Sequence, residues 1–271
     1  GSFDITVGGS VSNTGSAFTV DNLTVTGNVT SSSPMTVRTA LSVSGNLNNS
    51  GATGLTAGTM TVSGTATSNA PLTATTFNVG GDLTSSNALT VTNLIFQKAG
   101  TQAATFYNSQ NVVTNFTVNS GSTVSSSNYS TLNIKGALTN NGSIALPNTS
   151  WIFNGTSAQT IGGSSDSSLG NMTMNNSAGV TLSRNVTVPG TLTLTSGNIT
   201  AGSYVLAVTG TYCPASISGG SAASYVIGNL RLSFPPYNST CTYPIGDTSA
   251  YAPMTIAFPW FAGISGGTLT G

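Results

Sequence analysis

Histidine and glutamate are absent from this chain of 271 residues, and charged side chains make up only 4% of it, at a formal net charge of zero. Without histidine, neither Ser-His-Asp nor Cys-His nucleophilic catalysis can be assembled, and histidine-ligated metal sites are excluded as well. Without glutamate, the paired carboxylates of a glycoside hydrolase have to come from Asp4, Asp21, Asp82, Asp166 and Asp247, which are spread along the chain. The basic residues Arg38, Lys98, Lys135, Arg184 and Arg231 are equally scattered. A polysaccharide-active β-helix enzyme, which clusters acids and a base, is therefore disfavoured, and no catalytic residue, cofactor or metal is expected. An isolated aspartate on a turn caps the backbone more often than it binds calcium, and Asp247 in "PIGDTS" fits that role best. A neutral chain offers nothing to a phosphate backbone, so nucleic acid is not an expected partner.

Long apolar runs are missing too. No stretch approaches the roughly 18 residues of a spanning helix. An outer-membrane barrel also alternates, but its lipid face should be large and girdled by aromatics. Many of the alternating residues here are Thr, Val and Ala.

One sentence recurs instead: apolar, x, apolar, x, Gly, x, apolar. It reads Ile5/Val7/Gly9/Val11, Leu23/Val25/Gly27/Val29, Leu41/Val43/Gly45/Leu47, Met60/Val62/Gly64/Ala66 and Phe77/Val79/Gly81/Leu83, and it returns at Leu132, Val186 and Leu206. A fixed period near 20 residues marks a solenoid. Alternation sends Leu23 and Val25 inward and Thr24 and Thr26 outward. The recurrent Gly marks a corner that needs unusual φ/ψ or close stacking. Like residues repeating at one interval favour a parallel β-helix of about 18 residues per coil over an antiparallel sandwich or meander, because stacking like on like selects repeated residues. Leu94 to Val124 blurs the pattern and predicts coils with longer corner loops or an insertion packed on the side. Trp151 and Phe153 are expected in the core or at a coil edge.

Near residue 211 the composition changes. The solenoid is assigned to residues 1–210 and a Pro- and aromatic-rich, sandwich-like antiparallel module to 211–271. The module contains Cys213 and Cys241, expected as a disulfide, with two buried thiols as the alternative. Such a bridge fits an oxidising extracellular space. The segments "TLTLTSGNIT", "YVIGNLRLSF" and "PIGDTSAYAPMTIAF" resemble the tail of large, repeat-rich secreted surface proteins and adhesins of bacteria. That resemblance implies a β-helical stalk followed by a β-sandwich carrying a Pro-Ile/Val-Gly-Asp stretch. It implies no catalytic residues.

The expected function is thus structural: an extracellular or cell-surface filament subunit joined head-to-tail to copies of itself. The strand carrying Phe3, Ile5 and Val7 is the candidate assembly element, by β-augmentation of a neighbour's terminal module. Gly1-Ser2-Phe3 leads straight into the first repeat, as in a mature secreted chain or an excised fragment. The alternative is an adhesin stalk whose terminal module binds glycans through Tyr237, Tyr251 or Trp260. Asn-x-Ser/Thr sequons at Asn22, Asn28, Asn115, Asn128, Asn154, Asn185 and Asn238 are candidate glycosylation sites, with many expected by chance in so Asn- and Thr-rich a chain.

Overall fold

The computed structural model describes residues 2–51, 53–210, 212–234, 239–258 and 267–270. Every regular element among them is a β-strand. The fold is a parallel β-solenoid of about 19 residues per coil with a small antiparallel sheet toward the carboxy-terminal end. The chain divides into two compact units, Gly1–Asn133 with Asn141–Ser143, and Ile134–Asn140 with Ile144–Gly271.

The first unit contains β1 (Asp4–Val7), β2 (Val11–Asn13), β3 (Phe18–Val25), β4 (Val29–Ser31), β5 (Met35–Val43), β6 (Leu47–Asn49), β7 (Leu55–Val62), β8 (Ala66–Ser68), β9 (Leu72–Val79), β10 (Leu83–Ser85), β11 (Leu89–Phe96), β12 (Gly100–Phe106), β13 (Val112–Val118) and β14 (Ser122–Ser125). Strands β1, β3, β5, β7, β9, β11 and β13 pair in parallel one after another. The shorter β2, β4, β6, β8, β10 and β12 do the same. Every register is parallel, which excludes the meander for this unit. From β3 to β10 each coil contributes one strand of 8 or 9 residues and one of 3.

Alternation supplies the core. In β9, Leu72, Ala74, Phe77 and Val79 are buried while Thr73 and Thr75 face solvent. Two consecutive outward residues, Thr75 and Thr76, separate the two inward pairs, so the side-chain phase shifts once inside the strand. The Leu94–Val124 stretch belongs to the coils and is not a lateral insertion: Leu94 pairs with Phe116 in register. Its coil is longer, with a separation of 22 residues between hydrogen-bonded equivalents against 18 in the first coils. Phe96 and Phe116 fill this widened section, their ring centroids 5.3 Å apart.

Two polar ladders close the corners. Outside, the residue after the repeat glycine accepts a hydrogen bond from its equivalent one coil on: Asn28 N–H donates to Ser10 Oγ at 3.0 Å, Asn46 N–H to Asn28 Oδ1 at 2.8 Å, and Thr65 N–H to Asn46 Oδ1 at 2.8 Å. Inside, Asn13, Ser31, Asn49, Ser68 and Ser85 stack in one buried column. Asn49 Nδ2 donates to Ser68 Oγ at 2.8 Å and to the Pro71 carbonyl at 3.1 Å. Buried polar groups require such partners.

The remaining strands are β15 (Ser130–Ile134), β16 (Leu138–Asn140), β17 (Ser143–Phe153), β18 (Gln159–Gly162), β19 (Ser167–Asn175), β20 (Val180–Leu182), β21 (Val186–Val188), β22 (Leu192–Ser196), β23 (Ile199–Val208), β24 (Ile217–Gly219), β25 (Val226–Phe234), β26 (Ser239–Tyr243), β27 (Ile245–Gly246), β28 (Met254–Phe258) and β29 (Gly267–Thr270). In the second unit β17, β19, β22 and β24 stack in parallel, as do β16, β18, β20, β23, β25 and β27. Trp151 and Phe153 are fully buried, Trp151 stacking in register on Met172 and Met172 on Leu192. Parallel pairing runs on past residue 211 through β24, β25 and β27. The antiparallel pairs are β26 with β28 and β25 with β29.

Candidate functional site

The sequence singles out no pocket, so the candidate surfaces are the first strand, the scattered carboxylates, the sequons and the terminal aromatics. Among the described residues β1 has one partner strand, β3, and β2 has one, β4. Phe3 is 61% exposed. Ile5, Val7 and Val11 are half-buried, whereas their equivalents one coil on, Leu23, Val25 and Val29, are at most 1% exposed. The candidate assembly residues thus lie on a sheet edge whose apolar side chains are incompletely covered.

Asp21 clips this edge in place. Its carboxylate accepts from Phe3 N–H at 2.6 Å and from the Arg38 guanidinium at 3.1 Å, and its own N–H donates to the Phe3 carbonyl. Asp4 accepts from Ser2 Oγ at 2.5 Å and Asn22 Nδ2 at 2.7 Å. These donors hold both carboxyls below their ordinary range, the Phe3 amide first for Asp21 and the Ser2 hydroxyl first for Asp4.

The other carboxylates cap backbone in the same manner. Asp82 accepts from Ala103 N–H at 2.9 Å, and Asp166 from Asn185 N–H at 3.2 Å and Asn185 Nδ2 at 3.0 Å. Asp247 takes Ser249 Oγ at 2.6 Å, Ser249 N–H at 2.7 Å and Ala250 N–H at 2.9 Å. These bonds, led by the Ser249 hydroxyl, depress its pKa and make it the expected turn cap. The structure joins Asp21 to Phe3 and Arg38, and Asp82 to the coil that follows it. Among the described residues no group of three or more His, Cys, Asp or Glu is placed to hold a metal ion. Lys135 Nζ donates to the Asn154 carbonyl at 3.0 Å and Arg184 Nε to the Gly163 carbonyl at 2.9 Å, so these cations tie coils together too.

Several sequon asparagines sit in the ladders. Asn22 Nδ2 bonds Asp4, Asn28 Oδ1 accepts from Asn46, Asn115 Nδ2 donates to Asn93 Oδ1 at 2.9 Å, and Asn185 Oδ1 accepts from Val205 N–H at 3.0 Å. Asn128 lies on an exposed turn, with Nδ2 3.4 Å from Thr105 Oγ1. Asn154 N–H donates to the Ile134 carbonyl at 3.1 Å. Asn238, Tyr237 and Trp260 lie outside the described residues.

Cys213 and Cys241 form the disulfide, with Cα atoms 5.5 Å apart, linking the segment after β23 to β26. Tyr251, the remaining candidate stacking aromatic, is half-buried with its ring centroid 5.5 Å from that of Tyr225.

A feature that no motif announced is a pair of buried glutamines. Gln102 Nε2 donates to the Gly81 carbonyl and its Oε1 accepts from Lys98 N–H. Gln159 Nε2 donates to the Ile134 and Gly136 carbonyls and its Oε1 accepts from Gly155 N–H. In both, the glutamine reaches back four residues and locks a longer corner. The only sequence signal is a Gln four residues into each of two longer corners, Lys98-Ala-Gly-Thr-Gln102 and Gly155-Thr-Ser-Ala-Gln159.

The arrangement defines a charge-poor parallel β-solenoid held by inter-coil polar ladders, with a disulfide-bonded terminal segment. No helix among the described residues is long and apolar enough to cross a membrane. Comparison with protein-family models, with curated proteins and with solved structures finds no match in any of the three.

Proposed function

We propose that this chain is a non-catalytic extracellular structural protein, a subunit of a surface filament assembled head-to-tail through terminal β-strand contacts. The observation that carries this reading is the β1–β2 edge. Its strands pair in register with those of the next coil, β3 and β4, and Ile5, Val7 and Val11 remain half-covered where their equivalents are buried. A strand of a second copy laid along this edge completes the ladder and buries those side chains, at about 25 cal/mol per Å² of apolar surface.

Supporting it, the carboxylates are engaged in holding backbone, and the disulfide is consistent with an oxidising, secreted location. The reading also agrees with the resemblance to secreted bacterial surface proteins. Lysine on an edge strand blocks pairing. Val7→Lys is therefore expected to leave the protein folded, by circular dichroism and melting temperature, but monodisperse in sedimentation at concentrations where the parent chain assembles. Thr92→Lys, on an exposed outward position of β11, should assemble as the parent does. Unchanged assembly of Val7→Lys contradicts the proposal.

A further inference from the structure

Apart from the filament reading, the second unit carries a cleft of about 250 Å³ lined by the segment after β23, by β24 and by the stretch from β26 to Tyr251. Pro214, Ile217, Thr240, Thr242, Pro244 and Tyr251 are among its lining residues. Among the described residues no charged side chain lines it. Phosphates, carboxylates and cationic ligands therefore find no counter-charge there, whereas an uncharged ligand pays no ionic desolvation on entering.

The cleft is held in shape. The Cys213–Cys241 disulfide ties the Pro214 wall to β26. Tyr251 is fixed by its bridge to Gly246 and by ring contact with Tyr225, whose hydroxyl donates to the Asp247 carbonyl at 2.9 Å. The three bonds to the Asp247 carboxylate set the turn between these residues. Gly220, at φ +98°, lies close against Pro244 in the lining: a Cβ there would stand 2.6 Å from Pro244 Cβ. Preorganised walls lower the ordering cost of binding.

An apolar ring and proline faces beside threonine hydroxyls match a molecule with one C–H face and a rim of hydroxyls. The geometry points to a binding site for one neutral pyranose unit of a glycan, with the Tyr251 ring as its stacking surface and Thr240 and Thr242 as hydrogen-bonding partners. Thr242 Oγ1 already shares a hydrogen bond with Thr255 Oγ1 at 2.9 Å, which orients the hydroxyl. The volume suits a single ring, so a polysaccharide is held by one residue or chain end at each cleft.

The test is NMR titration of the full, oxidised chain with the methyl pyranosides of glucose, galactose and mannose and with N-acetylglucosamine. Saturable shifts confined to residues around Tyr251 are expected for at least one sugar. Tyr251→Ala should weaken that binding by about tenfold or more, the equivalent of 1.4 kcal/mol, while Tyr251→Phe keeps it within about threefold because the ring remains. Thr240→Val, an exposed site that leaves the fold intact, should weaken it several-fold. No saturable shift with any of the four sugars, or equal affinity for the parent, Tyr251→Ala and Thr240→Val proteins, overturns the proposal. Shifts produced by an uncharged peptide and by none of the sugars overturn it in favour of a protein ligand.

Discussion

A β-carbon on Gly45 would lie 2.5 Å from Asn28 Oδ1 and 2.6 Å from the Gly27 carbonyl. Gly27 is caught likewise between Ser10 Oγ and Gly9. Neither glycine has a positive φ, so the recurrent corner glycine serves close stacking and not an unusual backbone conformation. Gly45→Ala is expected to cost about 1–3 kcal/mol, as overpacking does, read as a lowered midpoint in urea. Asn49 and Asn48 make a sharper pair. Asn49→Ala takes the amide donor from the buried Ser68 hydroxyl and one of two donors from the Pro71 carbonyl, which keeps Leu55 N–H, and should cost about 1–2 kcal/mol. Asn48 is exposed on the opposite face of the same strand, and its alanine variant should stay within about 0.5 kcal/mol of the parent. Equal effects would contradict the ladder account. The glycine period was readable from the sequence, but its cause was not, because φ strain and close approach select the same residue. The asparagines read as sequons recur for a physical reason visible only in the coil: Asn28 and Asn185 accept backbone N–H groups from the next turn.

At the scale of elements, the first strand is held by carboxylates. Asp4 and Asp21 have folded-state pKa values below the ordinary 3.8. A carboxyl lowered on folding stabilises the folded state above its unfolded pKa and loses that contribution as pH falls through the folded value. Hydrogen exchange of residues 2–11 should therefore accelerate relative to β7 as the pH drops below about 4. Arg38→Ala, which removes the ion pair of Asp21, should shift the onset upward. Protection of β1 that tracks β7 down to about pH 2 would show that the clip is inert. The disulfide joins residues 28 apart in sequence, and the Cys213→Ser/Cys241→Ser double variant should lose about 3 kcal/mol in the chain-entropy model. Element type was legible throughout, since Thr/Val alternation has no helical counterpart. The longer coil at Leu94–Val124 was legible as a blur in the period, but what locks the longer corners was not, because Gln102 and Gln159 act through single side chains that leave no periodic trace.

At the scale of the whole molecule, poverty in charge and richness in Asn, Thr and Ser have one cause. Equivalent residues stack about 4.8 Å apart, where like charges repel and amides and hydroxyls bond their own kind. Five of the outward positions show this directly: Thr19, Thr36, Thr56, Thr73 and Thr90 follow one another in register. Such repetition made the parallel fold readable without any relative for comparison. Function is less legible, because a solenoid's surface carries no motif and its edges show only in three dimensions. The most direct measurement is electron microscopy of the purified, untagged protein at rising concentration beside Val7→Lys. The account predicts uniform fibres with a one-subunit axial repeat from the parent chain and single particles from the variant. Isolated particles from the parent at every concentration, or fibres from both, would contradict it.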